Sequence, residues 1–263
     1  MAKKKTKVYA ITNQKGGIGK TTTATCITSI LSEMGKKVLL VDTDVQCNST
    51  DLFRAATDEA ATIYDLVLDN DPCAPEDAIQ STAYGDIIAS DPLLKDTDLK
   101  MAKENGLKKE DFLRLRSALR KLNGYDYIII DTNPSLNYML YNALAAADEV
   151  IIPVTASRFA VTGLSQLTET VDYVKKTMNP SLKITGLLMV GYRPNVNLHK
   201  DLRNELREVA TKQIGTKLFE TCIRDSIKVA ESQMERTPLI KYARRSKPEQ
   251  DYEAFVKELI GKE

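Results

Sequence analysis

Apolar, β-branched runs recur along this chain with amphipathic stretches between them. The runs are KVYAIT, KVLLVD, DIIAS, YDYIIID, EVIIPVT, KITGLLMVGY and KLFETCI. Between most of them lie segments such as FLRLRSALRKL, GLSQLTETVDYVKKTM and LHKDLRNELREVATKQI, which carry a helical period. A strand with one wet face alternates polar and apolar residues; VLLV and YIII do not. They read as central strands covered on both faces, as in a mostly parallel sheet. Right-handed crossovers then place helices on both sides. The pattern predicts one α/β domain over residues 7–263, with a mostly parallel twisted sheet, behind a flexible basic tail of residues 1–6.

In such sheets ligands bind at the carboxyl ends of the strands, and three motifs fall there. The first is NQKGGIGKTTT at 13–23, between the strand VYAIT and a helix expected from Lys20 to Gly35. Gly16, Gly17 and Gly19 let backbone N–H groups converge on an anion, where a Cβ would obstruct both the dihedrals and the approach. The helix N-terminus adds N–H donors and the positive end of its dipole. Lys20 would neutralise the β- and γ-phosphates and Thr21 would ligate Mg²⁺, with Ile18 and Thr22 completing the phosphate-binding stretch. The strict phosphate-loop pattern has glycine where this chain has Gln14, and Lys15 is an additional lysine.

The second motif, VLLVDTDVQCNST, sets Asp42 and Asp44 two residues apart, facing one way if the strand continues. One carboxylate can help hold a hydrated Mg²⁺ and the other can orient the attacking water. The third, YDYIIIDTNPSL, ends a buried strand in Asp131, a position from which a carboxylate reaches Mg²⁺ through water. Asp131 could also cap the following helix, and both roles can hold together.

Composition narrows the classes. The 263 residues are 43% hydrophobic and 28% charged, which reads as a soluble globular protein. No apolar run approaches the roughly 20 residues that cross a bilayer, and the start lacks an apolar segment of signal-peptide length, so a cytoplasmic protein is expected. Cys26, Cys47, Cys73 and Cys222 show no metal spacing and are expected to be reduced and mostly buried. With His199 the only histidine, a histidine metal cluster is excluded by count. Net charge is +1 but uneven. Residues 41–104 hold 15 acidic against 4 basic side chains, and residues 193–247 hold 13 basic against 7 acidic. Either a polyanion partner or an ordinary solvated surface accounts for that asymmetry.

KGGIGKTTT, VDTDVQ, IIIDTNPSL and VIIPVTASRFAVTGLSQL, in this order, resemble the ParA/Soj family of partition ATPases. That family belongs to the deviant-Walker P-loop NTPases, a class that includes MinD and the nitrogenase iron protein. The later CIRDSIKVAES…TPLIKYARRSKPEQDYEAFVKEL is similar to the family's C-terminal region, so the likeness spans nearly the whole chain. It implies a weak Mg²⁺-dependent ATPase that dimerises on ATP, with Lys15 crossing to the partner's phosphates and Lys20 serving its own. It implies Thr21 on Mg²⁺, Asp44 activating water, and Asp42 and Asp131 shaping the metal site. It further implies sequence-blind binding of double-stranded DNA by the ATP dimer on the nucleoid, and hydrolysis stimulated by a DNA-bound partner of the ParB kind. Arg224, Lys228, Lys241, Arg244 and Arg245 lie near where relatives contact the phosphate backbone. Val45, Cys47 and Asn133 depart from the family motifs D-x-D-P-Q-G and D-x-P-P-S. The chain starts without the long extension of operator-binding relatives, so no operator binding is expected. A MinD-like membrane ATPase ends in a basic amphipathic helix, whereas DYEAFVKELIGKE has four acidic and two basic residues, so no membrane partner is expected. A positioning ATPase for protein cargo and a small-molecule ligase on the same fold remain the alternatives.

Overall fold

Strands β1 (Lys7–Ile11), β2 (Val38–Asp42) and β5 (Tyr127–Asp131) each place apolar side chains on both faces. Ala10, Leu39, Val41, Ile128 and Ile130 enter one core with the helices Tyr138–Ala146 and Phe159–Thr177. Tyr9, Ile11, Leu40 and Ile129 enter the other, against helix α1 (Lys20–Glu33) and Tyr252, Phe255 and Val256 of the helix Lys247–Ile260. Two-sided burial is why these strands read as continuous apolar runs. The computed structural model describes residues 5–68, 71–97, 108–157 and 159–261.

The remaining strands are β3 (Ile79–Thr82), β4 (Gly85–Ile88), β6 (Glu149–Thr155), β7 (Lys183–Tyr192) and β8 (Leu218–Arg224). All eight form one sheet in the order β3-β4-β2-β5-β1-β6-β7-β8. Every pairing is parallel except β3–β4. From β1 the chain winds out through β2 to the β3 edge, returns to β5, and then winds outward through β6, β7 and β8. The reversal at β1 and β5 sets their carboxyl ends beside a crevice, the usual ligand position in this architecture.

Three expectations are revised. β3 was not among the seven runs, because IQST is a short, half-exposed edge strand with too little apolar content to show a period. FLRLRSALRKL forms a 3₁₀ turn, Asp111–Leu113, and a short helix, Arg114–Leu119, rather than one continuous helix. The cysteines are free, but only Cys26 is buried; Cys47, Cys73 and Cys222 are partly exposed. Of the expected flexible tail, residues 1–4 lie outside the described residues. Lys5 and Thr6 are tethered: Thr6 Oγ1 donates to the Tyr125 carbonyl at 2.8 Å and Lys5 Nζ lies 3.2 Å from Asp148.

Candidate active site

The loop between β1 and α1 is built to receive an anion. Gly17 and Gly19 hold φ of 70° and 77°, left-handed values that other residues enter only with strain. A Cβ at Gly16 or Gly17 would meet nothing within 4 Å, so the cradle is open on that side. Gly19 caps α1 with no side-chain hydrogen bond, which leaves the first N–H donors of the helix free for a ligand. Ile18 contributes backbone alone, its side chain being buried under the loop. Lys20 is buried, and its Nζ donates to the Lys15 carbonyl at 3.0 Å, closing the loop on itself. Burial lowers the Lys20 pKa, while Asp131 and Asp44 favour its charged form.

Asp42 and Asp131 are register partners at the ends of β2 and β5. Burial raises the pKa of both; Asp131 adds to the rise at Asp42, and Asp44 to the rise at Asp131. Their hydrogen bonds separate their roles. Asp42 Oδ1 accepts from Asp44 N at 3.0 Å, and its Oδ2 from Thr50 N and Oγ1 at 2.9 and 2.8 Å. Both oxygens of Asp42 are therefore engaged by the protein, and its visible work is to fix the loop carrying Asp44. Asp131 Oδ2 accepts from Ser49 Oγ at 2.7 Å, but Oδ1 is buried with no hydrogen-bond partner. The Thr21 hydroxyl nearby favours the charged form of the Asp131 carboxylate. An orphaned carboxylate oxygen beside a hydroxyl and a phosphate cradle fits a hydrated Mg²⁺.

β2 stops at Asp42, so Asp42 and Asp44 do not share a strand face as the extended-strand reading expected. Asp44 instead turns onto the cleft, its Oδ1 accepting from Gln46 N at 3.0 Å. Cys47, standing where the resembling motif has glycine, keeps a left-handed φ of 52°. That conformation costs a non-glycine residue roughly 1–2 kcal/mol.

The cleft has a volume of about 600 Å³. The phosphate loop and Asp44 form one end, and Asp225, Ser226, Val229 and Gln233 form the other. Gln233 Nε2 donates to Thr22 Oγ1 at 3.2 Å, tying the helix Ile227–Met234 to α1. Motif reading missed this far wall and also Ser49. Ser49 lies inside the quoted VLLVDTDVQCNST motif without having been singled out, while Gln233 is 211 residues from Thr22 and only the C-terminal likeness pointed toward it.

The AAA domain family model matches residues 6–184. Chromosome partitioning protein ParA of Myxococcus xanthus is 35% identical, over 98% of this chain and 89% of that protein. The sporulation initiation inhibitor protein Soj of Bacillus subtilis is 36% identical, over 97% of this chain and 98% of that one. The chain belongs to the ParA/Soj family of partition ATPases. Among solved structures, cobyrinic acid a,c-diamide synthase of Mycobacterium smegmatis, with bound ATP analog and magnesium, superposes with a TM-score of 0.79. It is 28% identical and covers 97% of this chain and 95% of its own. The cofactors of this ParA/Soj-family protein are ATP and Mg²⁺.

The family's additional lysine, Lys15, lies at the mouth of the loop. A Cβ at Gly163 would sit 3.6 Å from Lys15 Cε, so the lysine stem lies beside Gly163 of the helix Phe159–Thr177 in its own chain. The five basic residues of the C-terminal third are not one free patch. Arg224 pairs with Asp251 at 2.6 Å, Lys228 with Glu231 at 2.8 Å, and both Lys241 and Arg244 with Glu33 at 2.6 and 2.8 Å. Arg245 is exposed, with φ at 64°. No helix among the described residues is long and apolar enough to cross a membrane.

Proposed function

We propose that this partition ATPase is an ATP-driven dimerisation switch that positions DNA. The observation carrying the proposal is the arrangement at the cleft: an anion cradle, the orphaned Asp131 oxygen, and Lys15, which does not line the cleft and whose stem lies beside Gly163. Lys20 holds its own subunit's phosphates, Thr21 and Asp131 hold Mg²⁺, and Asp44 orients the attacking water. Lys15 reaches the phosphates of a second copy, so assembly depends on the triphosphate as it does with a cation supplied in trans. Support comes from the same edge of the sheet. Leu136, Leu198 and Ile227 follow β5, β7 and β8 and are 45%, 53% and 69% exposed, apolar surface suited to a second copy. The ATP dimer binds duplex DNA through phosphates without sequence preference, on the nucleoid, and a ParB-like protein accelerates hydrolysis.

Size exclusion with light scattering, run without nucleotide, with ADP and with ATP, tests the switch. The wild type should double in mass only with ATP, and Lys15→Ala should stay monomeric while still binding nucleotide. A Lys15→Ala protein that pairs normally and hydrolyses at the wild-type rate would contradict the in-trans role. The match to an amide synthase supports a second reading, an ATP-dependent small-molecule ligase. Duplex DNA should change the ATPase rate of a partition switch and leave that of a ligase unaltered.

A further inference from the structure

A second cavity, about 480 Å³ in volume, opens at the amino ends of β1 and β5, away from the phosphate loop. That volume is in the usual range for small-molecule sites, about 300–1,000 Å³. Its apolar lining includes Val8, Leu119, Leu122 and Ile128, the last three buried. Its polar rim carries Arg116 and Arg120, one helical turn apart, together with Lys5, Asp126 and Asp148.

The rim charges are unequally satisfied. Asp148 accepts from Val8 N at 3.0 Å and pairs with Lys5 at 3.2 Å, and Asp126 accepts from Lys37 N at 3.0 Å. Arg116 donates to the Met178 carbonyl at 3.0 Å. No carboxylate forms an ion pair with Arg116 or Arg120 among the described residues. Burial and the neighbouring Arg120 both disfavour the charged form of Arg116, and Asp148 offsets them only in part. Two guanidiniums that repel each other at the mouth of an apolar cavity are relieved by an anion placed between them.

We propose that this cavity is a second ligand site, taking a small amphipathic anion. Its apolar body rests on Val8, Leu119, Leu122 and Ile128, and its carboxylate, sulfonate or phosphate head meets Arg116 and Arg120. This inference is independent of the switch proposed above, since the nucleotide cleft lies at the opposite ends of the same strands.

The test uses the full chain and 1-anilinonaphthalene-8-sulfonate as probe, followed by calorimetry and by fluorescence. One equivalent should bind, with or without saturating ATP analogue and Mg²⁺. The uncharged N-phenyl-1-naphthylamine should bind about tenfold more weakly or worse, the scale of one lost charge-assisted hydrogen bond. Arg120→Gln, an exposed change, should weaken the sulfonate by a similar factor and leave basal ATPase activity and the melting temperature unaltered. Asn123→Trp, at the rim, should block it sterically. Absence of stoichiometric binding overturns the proposal, as does displacement by the ATP analogue or equal affinity in wild type and Arg120→Gln.

Discussion

Asp131 Oδ1 has no protein donor although it is buried, and burial makes its carboxyl retain a proton more tightly than in the unfolded chain. A raised folded-state pKa means the native state binds more protons than the unfolded state, starting at the ordinary carboxylate range near about pH 4. Stability from this residue is therefore present at low pH and lost as pH rises through the folded value. Asp131→Asn keeps the neutral shape and cannot ionise. Without Mg²⁺, the melting temperature of Asp131→Asn should climb relative to wild type as pH rises above about 4, and saturating Mg²⁺–ATP should narrow or reverse that gap. A gap independent of pH would show that the buried oxygen is not under electrostatic strain. The same site shows what a motif can and cannot reveal at this scale. GGIGKT specifies backbone freedom and a cation locally, so Gly17, Gly19 and Lys20 were legible. The division of labour between Asp42 and Asp131 was not, because it depends on how the helix Asn48–Phe53 folds back: Thr50 bonds Asp42, eight residues before it, while the neighbouring Ser49 bonds Asp131, 82 residues away.

Helix α1 joins two proposed activities. Its first turn follows the glycine loop and is held by the hydrogen bond between Thr23 and Tyr252 at 3.0 Å, and its last residue, Glu33, binds both Lys241 and Arg244. In this arrangement a carboxylate occupies two of the cations proposed to meet DNA phosphates. These are partly exposed pairs, each worth little by itself. Glu33→Gln should release them and tighten duplex binding by roughly two- to fivefold at low salt, read by fluorescence anisotropy with a labelled duplex. Unchanged affinity would remove Lys241 and Arg244 from the DNA surface. The extent of α1 was legible from Gly19 and Gly35, whereas the contact of Glu33 with residues more than 200 positions away was not.

Over the whole molecule, the acidic segment 41–104 and the basic segment 193–247 separate along the chain. The structure converts most of the basic side chains named above into local ion pairs rather than a bare cationic field. In the proposed DNA binding, Arg244 is recruited in competition with its Glu33 pair, beside the exposed Arg245. Reversing both to Glu should weaken duplex binding and leave basal ATPase activity intact. The log–log salt slope should flatten by about 1 for each lost phosphate contact. Equal retention by variant and wild type at low salt would place the DNA surface elsewhere. By itself the sequence determined the mostly parallel α/β sheet, the glycine loop between β1 and α1, and the cofactors ATP and Mg²⁺. Strand period, glycine dihedrals and the Lys–Thr pair act over a few residues and are written in order along the chain. Tertiary structure alone decided which carboxylate oxygen was left open, which basic side chains were already paired, and where β3 and the second cavity lie. Those outcomes are balances between groups far apart in the chain, and only packing brings such groups within hydrogen-bonding distance.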